Sequence, residues 1–147
     1  MKRVEKGEVY YFISLQKLKL CSTHDWYFFS DNEKWEDGNY FTDAALAKAC
    51  ADEVQEYALP LQEKTEGKYS KAVHTFLAAS RVIAQDLKLA GKDAAEEMQL
   101  FSKAWDGYAA VKKEVDAERV ELAKGVEMII RKYRTFADVT PEDMAKQ

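Results

Sequence analysis

The chain has 147 residues and a formal net charge of −4, from 22 basic and 26 acidic residues. That length suits one domain, 1–147, whose core needs neither disulfides nor metal. The charge excludes both the positive field of a general nucleic-acid binder and the acid-loaded surface of a DNA mimic, and a composition 47% hydrophobic and 33% charged excludes wholesale disorder.

The start, "MKRVEKGEVYYFISLQ", holds an apolar run too brief for a signal-peptide core, and no stretch approaches a membrane span. Two unevenly placed cysteines do not make a secreted disulfide scaffold, so a cytoplasmic protein with no membrane partner is expected. Residues 1–41 read as strands. In "EVYYFIS" the period of two puts Val9, Tyr11 and Ile13 on one face and Tyr10 and Phe12 on the other; "KLKLC" alternates with Leu18 and Leu20 inward; "DWYFF" follows after the polar "STH". The pattern predicts a three-stranded antiparallel β-meander. Ten of the eighteen aromatic residues lie in these 41 positions, more than such a sheet buries alone, so something must pack on it.

That cover begins at "FTDAALAKACADEV". Thr42 is the expected N-cap, Asp43 complements the helix dipole, and Gly38 and Asn39 supply the preceding turn. Leu46, Cys50, Val54, Tyr57 and Leu61 recur at helical spacing, while Ala44, Ala47 and Ala51 allow close approach to the sheet; Tyr40 and Phe41 fall at the junction. Pro60 should kink or end this helix. A second helix starts at Pro60 or after Gly67, carries Tyr69, Ala72, Val73, Phe76, Ser80, Ile83 and Leu87 inward, and ends at Gly91. A third opens at Asp93 and runs to about Arg134, with a stripe through Ala94, Met98, Phe101, Trp105, Tyr108, Val115, Leu122, Val126, Ile129 and Tyr133 that Lys112 and Arg119 interrupt. Gly107 and Gly125 are places for a bend or a close helix contact. Residues 135–147 read as a tail or short helix capped at Thr140. The fold class is thus α+β, mainly α: a small N-terminal antiparallel β-meander (1–41) covered by a helix, then a long helical hairpin or bundle (42–134).

Chemistry finds little purchase. Cys21, His24, Cys50 and His74 are the only cysteines and histidines, but Cys21 and His24 point to opposite faces of a strand, and the other two fall on helix stripes. A cysteine nucleophile lacks an oxyanion turn around it. Asp31, Glu33, Glu36 and Asp37 lack calcium-loop spacing and read as a solvated turn. No glycine loop cradles phosphate. Tyr10, Tyr11, Phe12, Trp26, Tyr27 and Trp35 with Arg131, Lys132 and Arg134 suggest a stacking platform for single-stranded nucleic acid, yet the first 41 residues carry six basic and seven acidic groups, and the cations suit a helix C-terminus. The expectation is a protein that is not an enzyme, with no cofactor, no metal and no nucleic-acid partner.

"GEVYYFIS", "DWYFF", "DGNYF" and "TDAALAKACADEV" together resemble a pattern in small proteins encoded by phages and prophages. There a Gly-x-x-Tyr-Tyr strand leads to a tryptophan-bearing strand, an acidic turn, Gly-Asn-x-Phe and an alanine-rich helix. The matching positions are Gly7, Tyr10, Tyr11, Trp26, Gly38, Asn39, Phe41, Thr42 and Ala44 to Ala51. The resemblance covers the first third of the chain. It implies a phage accessory protein acting by protein–protein binding on a host or phage partner, for instance an anti-CRISPR-like inhibitor of host defence; a self-associating structural helical protein is the alternative. A long third-helix stripe with a shorter second helix leaves surplus apolar surface, which favours a homodimer. The candidate partner-binding residues are Trp105, Tyr108, Val115, Leu122, Val126 and Ile129, with Trp35 and Tyr40.

Overall fold

A computed structural model describes residues 1–90 and 95–138. The element order is β1 (Val9–Ser14), β2 (Lys19–His24), α1 (Phe29–Asp37), α2 (Ala44–Ala90) and α3 (Ala95–Asp138). The protein is mainly α, with one two-stranded antiparallel hairpin at its start and two long helices that pack on each other as a hairpin. The chain packs as two compact units: Met1–Pro60 with the chain from Leu122 onward, and Leu61–Glu121.

In the first unit, β1 and β2 pair in the register Val9↔His24 through Ser14↔Lys19. Ser22, Thr23 and His24, read from sequence as a polar break, therefore belong to β2. Leu18 belongs to the turn instead, at φ +54° and fully buried, with its N–H donating to the Ser14 carbonyl at 2.7 Å. The third strand expected at "DWYFF" does not form: residues 25–28 are loop and Phe29 opens α1. Its place beside β1 is taken by two smaller devices. Tyr11 and Phe41 form an isolated antiparallel bridge, N–H to carbonyl at 2.7 Å both ways, and the Asn39 amide pairs with both backbone polar groups of Ile13 at 2.8 Å. A single amide side chain thus satisfies a strand edge that would otherwise be open.

Gly38 ends α1 at φ +83°, a left-handed cap that costs a glycine nothing. Asp43, rather than Thr42, caps α2, its carboxylate accepting from the Ala45 and Leu46 amides at 2.9 and 3.1 Å. The core gathers Ile13, Leu18 and Phe41 against Ala47, Cys50, Ala51, Val54 and Ala58 of α2 and Val126 and Ile130 of α3. Ala44 is exposed, so Ala47 and Ala51 alone of the three expected alanines face the sheet. Burying a side chain such as Ile13 or Val54 contributes about 1.5–3 kcal/mol. Tyr57 leaves its stripe and lies over Gly125, where an added Cβ would meet its ring.

In the second unit, α2 and α3 meet along an aromatic ladder: Phe76 touches Phe101, Trp105 and Tyr108, and Tyr69 faces Tyr108. Charge brackets it. Arg119 forms a fork with Glu66 at 2.9 Å on both arms while covering the Tyr69 ring, Lys68 and Thr65 both reach Glu118, and Lys112 pairs with Asp116. Lys112 and Arg119, which interrupt the stripe in sequence, are therefore absorbed by ion pairs.

Pro60 and Gly67 break nothing, for α2 runs through both. Ala58 is buried in the first unit and Thr65 in the second, and packing on either side of the proline outweighs its one missing hydrogen bond. α2 has 47 residues and α3 has 44, so the expected length surplus of α3 over its partner does not exist. α3 continues past Arg134 to Asp138. The expected stop at Gly91, the start at Asp93 and the cap at Thr140 lie outside the described residues.

Candidate binding surface

Two buried carboxylates organise the first unit. Asp25 is fully buried; it accepts two hydrogen bonds from Arg3, Nε to Oδ2 at 2.7 Å and Nη2 to Oδ1 at 3.0 Å, one from the Tyr40 hydroxyl at 2.8 Å and one from the Tyr27 amide at 3.0 Å. Burial penalises the charge, but the hydrogen bonds from Arg3, the Tyr27 amide and Tyr40, with the Arg3 charge, outweigh it and hold this carboxyl below its ordinary range. Asp31, also buried, accepts from the Tyr10 hydroxyl at 2.7 Å and from the Trp26 and Phe28 amides at 3.1 and 3.2 Å. Tyr10 and Tyr40 stack on each other at 4.2 Å, and Trp35 packs edge-on against Tyr40. Asp31 is thus no solvated turn acid, as its setting in "SDNEKWEDGN" suggested, but the group that closes the start of α1.

What these carboxylates hold is the loop between β2 and α1. Every amide from Asp25 to Phe28 has a partner: Asp25 donates to the Glu8 carbonyl at 2.8 Å, Tyr27 to Asp25, and Trp26 and Phe28 to Asp31. Tyr27 sits at φ +59°, a left-handed conformation that costs a non-glycine residue about 1 kcal/mol or more. It is retained there by the Arg3 guanidinium over its ring at 4.3 Å and by its hydroxyl on the Val4 carbonyl at 2.9 Å. The side chains carried by this fixed backbone point outward. Trp26 and Tyr27 are 47% and 42% exposed, Phe28 67% and Phe29 82%. Phe28 and Phe29 stand mostly in water, and Trp26 and Tyr27 each leave a little under half of their surface open, on a backbone whose amides are all paired.

The other candidate residues separate. Tyr40, Val115 and Val126 are buried inside their own units and present nothing to a partner. Leu122 and Ile129 are half-buried against the first unit's core, Trp35 packs between Tyr40 and the guanidinium of Arg134, and Tyr108 belongs to the aromatic ladder. Trp105 alone stays half-exposed, sharing a face of α3 with Met98 and Phe101. The aromatic residues that suggest a stacking platform in the sequence do not share one exposed face, since Tyr10 is buried. Of its cations, Lys132 pairs with Glu53, and Arg134 donates to the Tyr40 carbonyl.

Cys50 is buried, and burial, with Glu53 nearby, pushes its thiol up to about 12, so it is a poor thiolate. Among the described residues no three His, Cys, Asp or Glu side chains gather as a metal site, and no helix is long and apolar enough to cross a membrane. Sequence reasoning missed Arg3 and Asp25, and took Asp31 for a solvated turn acid. The one available signal was two aspartates bracketing five residues of which four are aromatic, and strand pattern masked it.

These features define a mainly α protein that presents an exposed aromatic loop on a polar, buried anchor. No protein-family model, curated protein or solved structure matches the chain.

Proposed function

We propose that this protein acts by binding another protein, with Trp26, Tyr27, Phe28 and Phe29 as the anchor, and not by catalysis. The observation that carries the reading is the pairing of high aromatic exposure with a loop whose amides are all hydrogen-bonded. Binding energy concentrates in large aromatic side chains that fill a partner's pocket, and an anchor already fixed in place loses little conformational entropy on docking. A left-handed Tyr27 retained at energetic cost is of the same kind, because backbone strain is kept where a surface must hold a particular shape. The resemblance of the first third of the chain to small phage and prophage proteins puts the partner among host or phage proteins, and makes inhibition of a host defence enzyme the form of action to test first.

The test uses a double variant, Phe28→Ser with Phe29→Ser, both positions outside the core. Wild-type and variant proteins are used to capture partners from infected or lysogenic host lysate, beside a thermal melt of each. The expected result is a protein retained by wild type and lost by the variant at a similar melting temperature. Equal retention by both would remove the loop from the binding site.

A further inference from the structure

The β-hairpin has two edges, and the fold treats them differently. On the outer side of β1 the Tyr11 backbone is bridged by Phe41 and the Ile13 backbone by the Asn39 amide, so that edge is closed. Because the N–H and C=O groups of Tyr11 and Ile13 point away from β2, the residues paired with them, Ser22 and Leu20, point theirs away from β1, and the same alternation turns those of His24 outward. None of these three N–H and three C=O groups has a hydrogen-bond partner among the described residues. They recur at every second residue, about 6.8 Å apart.

Of the devices that blunt a strand edge, β2 has only a lysine, Lys19, at its start; it has no proline, and its pairing with β1 runs without a bulge from Lys19 to His24. Ser22, Thr23 and His24 are exposed, and the His24 ring reaches back to the Gly7 carbonyl at 2.9 Å instead of over the edge. The charge along the edge has one sign. Lys17 and Lys19 have no ion-pair partner among the described residues, and residues 15–24 hold no acid. A second copy paired here would bring two more lysines on the same stretch and no acid, whereas a foreign segment can place a carboxylate across from Lys19.

We infer that the open edge of β2 is a docking strand for an extended segment of another protein, which adds to the hairpin as a third strand and carries an acidic residue opposite Lys19. An extended backbone is the ligand whose own N–H and C=O groups match this repeat, while a helix keeps its groups for itself. Main-chain hydrogen bonds at Leu20, Ser22 and His24 hold the segment, and the pair with Lys19 sets its register. The edge does not use the side chains of the aromatic loop, so the inference stands apart from them.

Amide NMR on the full chain tests it, with the peptide Thr-Val-Glu-Val-Thr-Val, acetylated and amidated, titrated to millimolar concentration at low salt. The expected result is new protection from exchange at the Leu20, Ser22 and His24 amides, those of Cys21 and Thr23 being protected already by β1. Ser22→Pro removes an N–H that the hairpin does not use, so it is expected to fold and to lower the peptide affinity at least tenfold. Lys19→Glu is expected to lower it at least threefold, and a lysine in place of the peptide's glutamate to restore it. Absence of protection at the three amides, or affinity indifferent to Ser22→Pro in a folded variant, overturns the inference; should that variant not fold, the amide map decides alone. A wild-type dimer with these amides protected before peptide is added would give the edge to a second copy and overturn it too. Failure of the charge exchange overturns the acidic character of the segment.

Discussion

Arg3 and Asp25, twenty-two residues apart, are joined by two side-chain hydrogen bonds at 2.7 and 3.0 Å, and Asp25 is inaccessible to water. The pair ties the start of the chain to the aromatic loop. Asp25→Ala leaves a guanidinium, a tyrosine hydroxyl and an amide without their acceptor. Breaking a buried pair on one side costs about 3–5 kcal/mol, and because the Arg3 side chain keeps 22% of its exposure the lower end applies. A denaturant titration should show that loss. A variant as stable as wild type would mean that the network is replaceable by water.

The same carboxylate makes stability fall in acid. Its folded pKa lies below the unfolded value, so its contribution is fully present above about 3.9 and is lost as pH drops through the lowered folded value. Tyr40 acts at the other extreme. Burial, then its hydrogen bond to Asp25, pushes its hydroxyl up to about 12, so its contribution is complete below the unfolded value near 10 and is lost as pH rises through the folded one. Melting temperature against pH should therefore fall on both sides of a plateau. In Asp25→Asn the acid limb should be shallower. An unchanged acid limb would assign the acid sensitivity to other carboxylates.

Cys21 and Cys50 should differ sharply toward a thiol reagent. Cys50 is buried in the core between Ala47, Ala51 and Val54 with its thiol held protonated, while Cys21 is partly open on β2. At mildly alkaline pH the folded protein should react at one thiol, and the second should appear only at the rate at which the first unit opens. Prompt modification of both would mean that this core is loose.

Much of this architecture is legible in the sequence where periodicity carries it. Val9 to Ser14 reads as a strand and is one, and the spacing of Cys50, Val54, Val115 and Val126 marks residues that are all buried. "DWYFF" misleads because aromatic richness favours strands, whereas Asp31 three residues beyond Phe28 competes for the loop amides and starts a helix instead. Pro60 misleads because a local penalty is overridden by packing on both sides of it. The candidate binding loop is invisible to pattern, since nothing in a run of four aromatic residues tells whether they face in or out. That depends on Arg3, Tyr10 and Tyr40, which the fold brings from elsewhere to the two aspartates.

Gly38 is the residue on which the turn from α1 toward α2 depends. Its φ of +83° lies where a β-branched side chain is strained, whatever space surrounds it. Gly38→Val should cost about 1 kcal/mol or more. The cost should appear as a lower melting temperature with helix content nearly unchanged, because α2 and α3 keep their own hydrogen bonds. An unaltered melting temperature would show that the cap relaxes to another conformation freely.

Gly67 gives the opposite sign and tests the continuity of α2. It lies inside the helix, exposed, with nothing within 4 Å of an added Cβ. In a helix interior, alanine is favoured over glycine by about 1 kcal/mol, and at an exposed site no packing change offsets that gain. Gly67→Ala should therefore raise the urea midpoint without altering its slope. If the chain were interrupted there, as the Pro60 to Gly67 stretch suggests on sequence alone, glycine would hold a non-helical conformation and alanine would lower the midpoint. The direction of that single shift distinguishes one helix from two.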